Sequence, residues 1–303
     1  MPLRPSHRSC WKKWRAVKLA SYEWHGSPSF GAVDGDYVYD LGAGERTLPD
    51  ALAEGAEALQ HQAGDALASG HHRVPLAEIS FLPVIPQPAK ILCIGLNYLD
   101  HREEASRDES SYPSVFFRFA DTQIGHGQPA VKPASSIMFD YEGELAVVIG
   151  RPGRAVPEAG AMDIVAGYSC YNDLSARDWQ QHTSQWGPGK NFPGTGAFGP
   201  WLVTADEIPD PGKLRLTTHV NGELRQSADV SDLVFSIPAL ISYVTAFTPL
   251  SAGDVIVTGT PAGVGLFRHP PEFLRAGDVI EVEISEIGTL RNVVAAQPDA
   301  SSD

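Results

Sequence analysis

The sequence predicts an α+β protein, mostly β, in two unequal parts, and three observations carry that prediction. Short strand-like runs followed by an Ala-rich helical stretch fill the first part. A proline-dense segment, LPVIPQPAK, with three prolines in nine residues, separates the parts. The remainder of the 303 residues is dominated by strand patterns and contains one strongly amphipathic helix. The chain is accordingly divided into a tail over residues 1–16, expected to be disordered, a small α+β N-terminal domain over 17–85, a larger domain over 86–296 and a short tail over 297–303.

In the first part VKLASYEW, SFGAV and YVYDL read as strands, and DALAEGAEALQHQAGDALASGHH as one or two helices. In the second, KILCIGL is a buried strand and NYLDHREEASR a short helix with Asn97 as its N-cap. SVFFRF, DYEGELAVVIG and IVAGYSCYND follow as strands. LTTHVNGELRQS is a hairpin in which Asn221-Gly222 supplies a type I′ turn. In SDLVFSIPALISYVTAF, Pro238 belongs to the first turn of a helix capped at Ser236 or Ile237. VIVTGT and DVIEVEI close the domain as strands.

The bulk numbers exclude several classes. A net charge of −14 and a pI near 5.1 argue against a nucleic-acid partner, which would need clustered Lys and Arg. Cys10, Cys93 and Cys170 lie far apart with no C-x-x-C, which fits a reducing cytoplasm rather than a disulfide or zinc framework. No stretch has the apolar length of a membrane helix, so no membrane partner is expected. The basic N-terminus lacks the apolar run of a signal peptide; a transit peptide, or residues upstream of a domain starting near Val17, are the alternatives.

Glu142 and Glu144 are two apart on a predicted strand, so both carboxylates leave one face, beside Ala146 and Val148. Two like charges side by side either face water or build a site around a cation. Asp173 ends the strand IVAGYSCYND, where it either joins them as a ligand or caps the helix of SARDWQQH. Three carboxylates without His or Cys make a hard oxygen site for Mg²⁺ or Mn²⁺, with Ca²⁺ as a stand-in in a crystal. His101 and Glu104, three apart on one helical face, have base-and-orienter spacing, although a surface pair is the bland reading. Gly194–Gly199 matches G-x-G-x-x-G but precedes a strand, which excludes a dinucleotide site. Gly259-Thr260-Pro261-Ala262-Gly263 follows the strand VIVT and can present N–H groups and a hydroxyl to an oxyanion, without being a P-loop.

Five motifs in order, GLNYLDHREEA, FDYEGELAVVIG, GYSCYNDLSARDWQ, GPGKNF and VIVTGTPAGVG, resemble the catalytic domain of the fumarylacetoacetate hydrolase family, from about Lys90 to Val294. The resemblance implies a β-roll catalytic domain, a smaller N-terminal domain and a homodimer. It implies Glu142, Glu144 and Asp173 as metal ligands, Lys190 as their cationic partner and His101–Glu104 as a water-activating dyad on a lid helix. Gln180 and Thr260 match substrate-binding positions; Gly259 stands beside Thr260, and Arg177 joins that set or, with Asp178, a supporting network. One departure is Pro193 in GKNFPGTG, where many relatives carry Asp.

From this resemblance the expected activity is hydrolysis of a C–C bond in a small acylpyruvate or 1,3-dicarbonyl acid. Lys190 and the metal would stabilise an enolate while water deprotonated by His101 attacks the distal carbonyl. Isomerisation or decarboxylation of 2-oxo or 2-hydroxy-diene dicarboxylic acids suits the same groups. A non-catalytic metal-binding scaffold is the alternative of another class, disfavoured because every matched polar position is present.

Overall fold

A computed structural model describes residues 17–44, 46–105 and 110–298. The predicted N-terminal tail lies outside the described residues. The architecture is α+β and mostly β: one large twisted sheet, a smaller five-stranded sheet packed on it, and short helices around both. No helix among the described residues is long and apolar enough to cross a membrane.

The large sheet is organised about the strand Gly143–Ile149, which pairs antiparallel with Val165–Asp173 on one side and with Val255–Val257 on the other. Beyond Val255–Val257 lies Ile91–Gly95, in parallel, and then Ser114–Arg118 at the edge. On the other flank Val165–Asp173 is followed by Gly196–Thr204, and Lys18–Trp24 continues the same sheet antiparallel to it. Strands from both sides of the proline-dense segment thus share one hydrogen-bonded sheet. That segment is packed in, with Val84 and Ile85 fully buried and the Val84 carbonyl accepting from Ser21 Oγ at 2.7 Å.

Alternation along Gly143–Ile149 builds two cores. Leu145, Val147 and Ile149 face the small sheet and the helix Ile237–Phe247; Ala146 and Val148 face Leu48, Leu52 and Leu59 of the two helices Leu48–Glu54 and Ala56–Ser69. Each such aliphatic side chain, fully buried, contributes about 1.5–3 kcal/mol. That gain lets the same strand carry buried carboxylates at its entrance, whose desolvation costs several kcal/mol per ion.

The helix Ile237–Phe247 starts where Pro238 predicts, with Ser236 Oγ accepting from the Ala239 N–H. Asn221 and Gly222 have φ of 53° and 79°, the two positive values that a type I′ turn needs. Asn97 is a correction: the helix Leu99–Glu104 has Tyr98 at its N-cap position, without a side-chain cap. The Asn97 side chain instead donates to the carbonyls of Phe235 (3.1 Å) and Thr258 (2.8 Å) and accepts from the Phe235 N–H, tying three segments together.

Candidate active site

Register brings the acidic residues together. Gly143 lies opposite Asn172 and Glu144 opposite Tyr171, so Glu142 and Glu144 arrive beside the end of the strand that terminates at Asp173. The Asp173 N–H donates to the Glu142 carbonyl at 2.9 Å, and Asn172 Oδ1 accepts from the Glu142 N–H. Ligand oxygens of Glu142, Glu144 and Asp173 lie within 4.8 Å of one another, and all three residues are buried. Asp173 does not cap the following helix Arg177–Gln180, whose N-cap position is Ala176.

Three buried cations surround the trio. Lys190 pairs with Glu142 and, at 2.8 Å, with Asp173. Arg177 holds Glu142 at 2.6 Å and Asp140 at 2.8 Å, and Arg118 holds Asp173 while donating to Thr195 Oγ1 at 2.6 Å. Burial alone would push the Lys190 ammonium toward losing its proton, but Asp173 and Glu142 reverse that and raise its pKa above the ordinary lysine value. Burial likewise opposes ionisation of Glu142, yet Arg177 and Lys190 prevail and hold it down at about 2.

Glu144 is the exception. It is buried with no cation in ion-pair range among the described residues, and its Oε2 accepts only from the Gly259 N–H at 2.5 Å. Burial first, then the neighbouring charges of Asp173 and Glu142, push its pKa well above the carboxylate range. Keeping the proton on Glu144 leaves three carboxylates (Asp140, Glu142, Asp173) against three cations. A buried carboxylate lacking a counter-charge, beside two more all-oxygen donors, fits a hard divalent cation.

His101, paired with Glu104, lines a cavity of about 660 Å³ together with Glu142 and Glu144, within the usual size range of small-molecule sites. His101 Nδ1 meets Glu104 Oε2 at 3.1 Å, and Glu104 accepts the Gly263 N–H at 3.1 Å. His101 is buried, with its ring centroid 6.0 Å from that of Phe267. The turn into this helix is strained: Leu96 has φ of 56°, and its carbonyl accepts from Arg102 Nε at 2.5 Å.

Gln180, Arg177, Thr260 and Lys190 also line the cavity. Arg177 Nη1 donates to Gln180 Oε1 at 3.0 Å, which leaves the Gln180 amide nitrogen as a donor. Thr260 Oγ1 donates to the Gly143 carbonyl and accepts from Gln226, so its proton is already committed. The Gly259 N–H is likewise committed, to Glu144. These two bonds tie the Gly259–Thr260 loop to the trio's strand.

Residues 90–295 match the profile of the fumarylacetoacetate (FAA) hydrolase C-terminal domain. The chain belongs to the fumarylacetoacetate hydrolase family. Among curated relatives, the mitochondrial oxaloacetate tautomerase fahd2 of Xenopus laevis is 42% identical over 289 residues, covering 92% of this chain and 90% of the relative. Among solved structures, fumarylacetoacetate hydrolase from Exiguobacterium antarcticum is 33% identical with a TM-score of 0.78, covering 93% of this chain and 100% of that one. Maleylpyruvate hydrolase from Sphingobium sp. SYK-6, solved with manganese(II) and pyruvate, is 29% identical with a TM-score of 0.77 and the same coverage. The fold is therefore that of the family, and the buried acidic trio of this family enzyme can hold a metal ion.

Asp140, Arg118 and Gln226 escaped the sequence reading. Asp140 left a signal, because Asp140, Glu142 and Glu144 keep one period of two, and only the latter pair was singled out. Arg118 left none: a lone Arg in SVFFRF reads as a solvated strand end. Gln226 sits in a hairpin and meets Gly143, Thr260 and Pro261 only through tertiary packing.

The raised pKa of Glu144 has a measurable consequence. A ligand must be deprotonated to bind a cation. Above the ordinary carboxylate range but below the raised value, Glu144 holds a proton in the metal-free protein, and as a ligand it would have to release it. Mn²⁺ affinity is therefore expected to rise with pH across that window, by up to about tenfold per pH unit. Calorimetry in buffers of different ionisation enthalpy reads the released proton directly, and binding with no proton release contradicts the assignment.

Proposed function

We propose that this enzyme moves a proton in a small 2-oxo dicarboxylic acid of the oxaloacetate type, interconverting its keto and enol forms. The observation that carries the reading is His101, oriented by Glu104 and lining one cavity with Lys190, Glu142 and Glu144. The oxaloacetate tautomerase, 42% identical across nine-tenths of both chains, supports it. Glu142, Glu144 and Asp173 would hold Mg²⁺ or Mn²⁺, which as a Lewis acid supplies positive charge to the oxygens of a bound enolate.

The side chains divide the remaining work. Lys190, kept protonated by two carboxylates, offsets charge on the substrate's oxygens. Gln180, with its oxygen fixed by Arg177, donates an N–H to a substrate carboxylate. His101 removes the proton from the carbon between the two carbonyl groups, and a proton returns to the carbonyl oxygen, so the product is an isomer and nothing is lost or added. Orientation by Glu104 reduces the freedom of the imidazole before the transfer.

Hydrolysis of an acylpyruvate is the second reading. It is supported by a cavity larger than a four-carbon diacid needs, which leaves room for water and an acyl group, and by the likeness to maleylpyruvate hydrolase. One experiment separates the readings: the protein with Mn²⁺ is given enol oxaloacetate and a panel of acylpyruvates, with enol absorbance followed and products weighed. Enol loss without mass change supports tautomerisation. Addition of water with C–C cleavage supports hydrolysis, loss of CO₂ decarboxylation, and inertness toward every acid removes both readings.

A homodimer, which the resemblance implies, is supported by Phe117, 53% exposed on the edge strand Ser114–Arg118 of the large sheet, and Phe119, 63% exposed just after it. Light scattering at micromolar concentration is expected to give twice the chain mass of 32.6 kDa, and a monomer there would remove the proposal.

A further inference from the structure

We propose that Tyr141 is a positioning residue for the His101–Glu104 dyad, acting through the backbone of Gly263. The inference rests on the reading of His101 as proton carrier, and it assigns a task to a side chain which that reading leaves unused.

Tyr141 stands between Asp140 and Glu142 and is almost fully buried. Its hydroxyl donates to the Gly263 carbonyl at 2.8 Å, while the N–H of the same glycine donates to Glu104 at 3.1 Å. Glu104 in turn meets His101 Nδ1. Hydrogen bonds joined through the Gly263 backbone thus run from the segment that carries the acidic trio to the base on the helix Leu99–Glu104.

Gly263 suits this junction. Its φ is 102°, a conformation that side-chain-bearing residues avoid, and a Cβ there would lie 2.1 Å from the Arg225 carbonyl oxygen. The loop has little room to shift, so a hydrogen bond on one side of Gly263 fixes the group presented on the other. Asp140 anchors the same loop further on, accepting the N–H groups of Gly265 at 2.8 Å and Leu266 at 3.0 Å. Phe267, next in the chain, backs the His101 ring. Asp140 and Tyr141 therefore bracket the loop from the residues immediately before the first acidic member of the trio.

The consequence is a geometric coupling: the distance from the base to the carboxylates is set by one short loop held at both ends, and Tyr141 supplies one of the two ties. Tyr141→Phe removes a single hydroxyl and keeps the ring in its packing, so the fold should survive. In this variant, amide hydrogen exchange across Leu99–Glu104 is expected to accelerate, and kcat to fall, each by about two- to tenfold, the size of one hydrogen bond. Mn²⁺ affinity, measured by calorimetry, should stay at the wild-type value.

Exchange or kcat at the wild-type level overturns the proposal. So does a parallel loss of Mn²⁺ affinity, which would mean that Tyr141 acts through Glu142 instead. Glu104→Gln supplies a second test: its carbonyl still accepts from Gly263, so exchange protection should persist while turnover falls, and loss of protection overturns the chain. If no 2-oxo acid is turned over by the wild type, the proposed function fails, while the exchange comparison still judges the role of Tyr141.

Discussion

Glu142→Gln is expected to weaken Mn²⁺ binding by more than the roughly 10–100-fold that replacement of an outer-shell partner costs, and to reduce turnover to background. The expectation follows from what Glu142 joins. One of its oxygens meets Lys190, the other meets Arg177, and its carbonyl fixes Asp173. Without its charge, two carboxylates and a neutral amide oxygen remain for a cation, and the surrounding field changes from balanced to positive. The amide keeps the volume and some of the hydrogen bonds, whereas Glu142→Ala would strand Lys190 and Arg177 and risk the fold, since breaking a buried pair costs about 3–5 kcal/mol. Calorimetry with Mn²⁺, beside a thermal melt showing that the variant is folded, is the measurement. Wild-type affinity in a folded Glu142→Gln protein would remove Glu142 from the ligand set.

How much of this was legible depended on whether the pattern was local. Glu142 and Glu144 could be paired because a strand puts residues two apart on one face, and Asp173 could be added because a carboxylate closed a predicted strand. The type I′ turn at Asn221-Gly222 and the cap at Ser236 were legible for the same reason, each being decided by a few adjacent residues. Asn97 misled because an Asn before a helix reads as a cap, while in the fold its amide meets Phe235 and Thr258, more than a hundred residues away. Arg118, Tyr141 and Gln226 were silent: their partners Asp173, Gly263 and Thr260 become neighbours only through strand register and loop placement. The bonds that Gly259 and Thr260 make to Glu144 and Gly143 were silent for a related reason, since a sequence shows which groups can donate but not which are already bonded.

His101→Ala is expected to lower kcat by about 10²- to 10⁴-fold, the usual contribution of a positioned general acid–base group, while leaving Mn²⁺ affinity near the wild-type value. The two halves of this expectation test different links. His101 makes no hydrogen bond to Glu142, Glu144 or Asp173, and its partner is Glu104 on the same helix, so the acidic trio should stay assembled without it. Its ring is buried against Phe267, so a melt must show that the loss is not one of folding, and His101→Gln, closer in volume, serves as the second variant. The outcome also discriminates between chemistries. A tautomerase needs the imidazole for the proton on carbon, so enol loss and deuterium incorporation from solvent should fall together. If His101 serves only to activate water, tautomerisation should survive in His101→Ala while C–C cleavage disappears, and the second reading would replace the first. Full activity in both assays would mean that a group other than this dyad carries the proton.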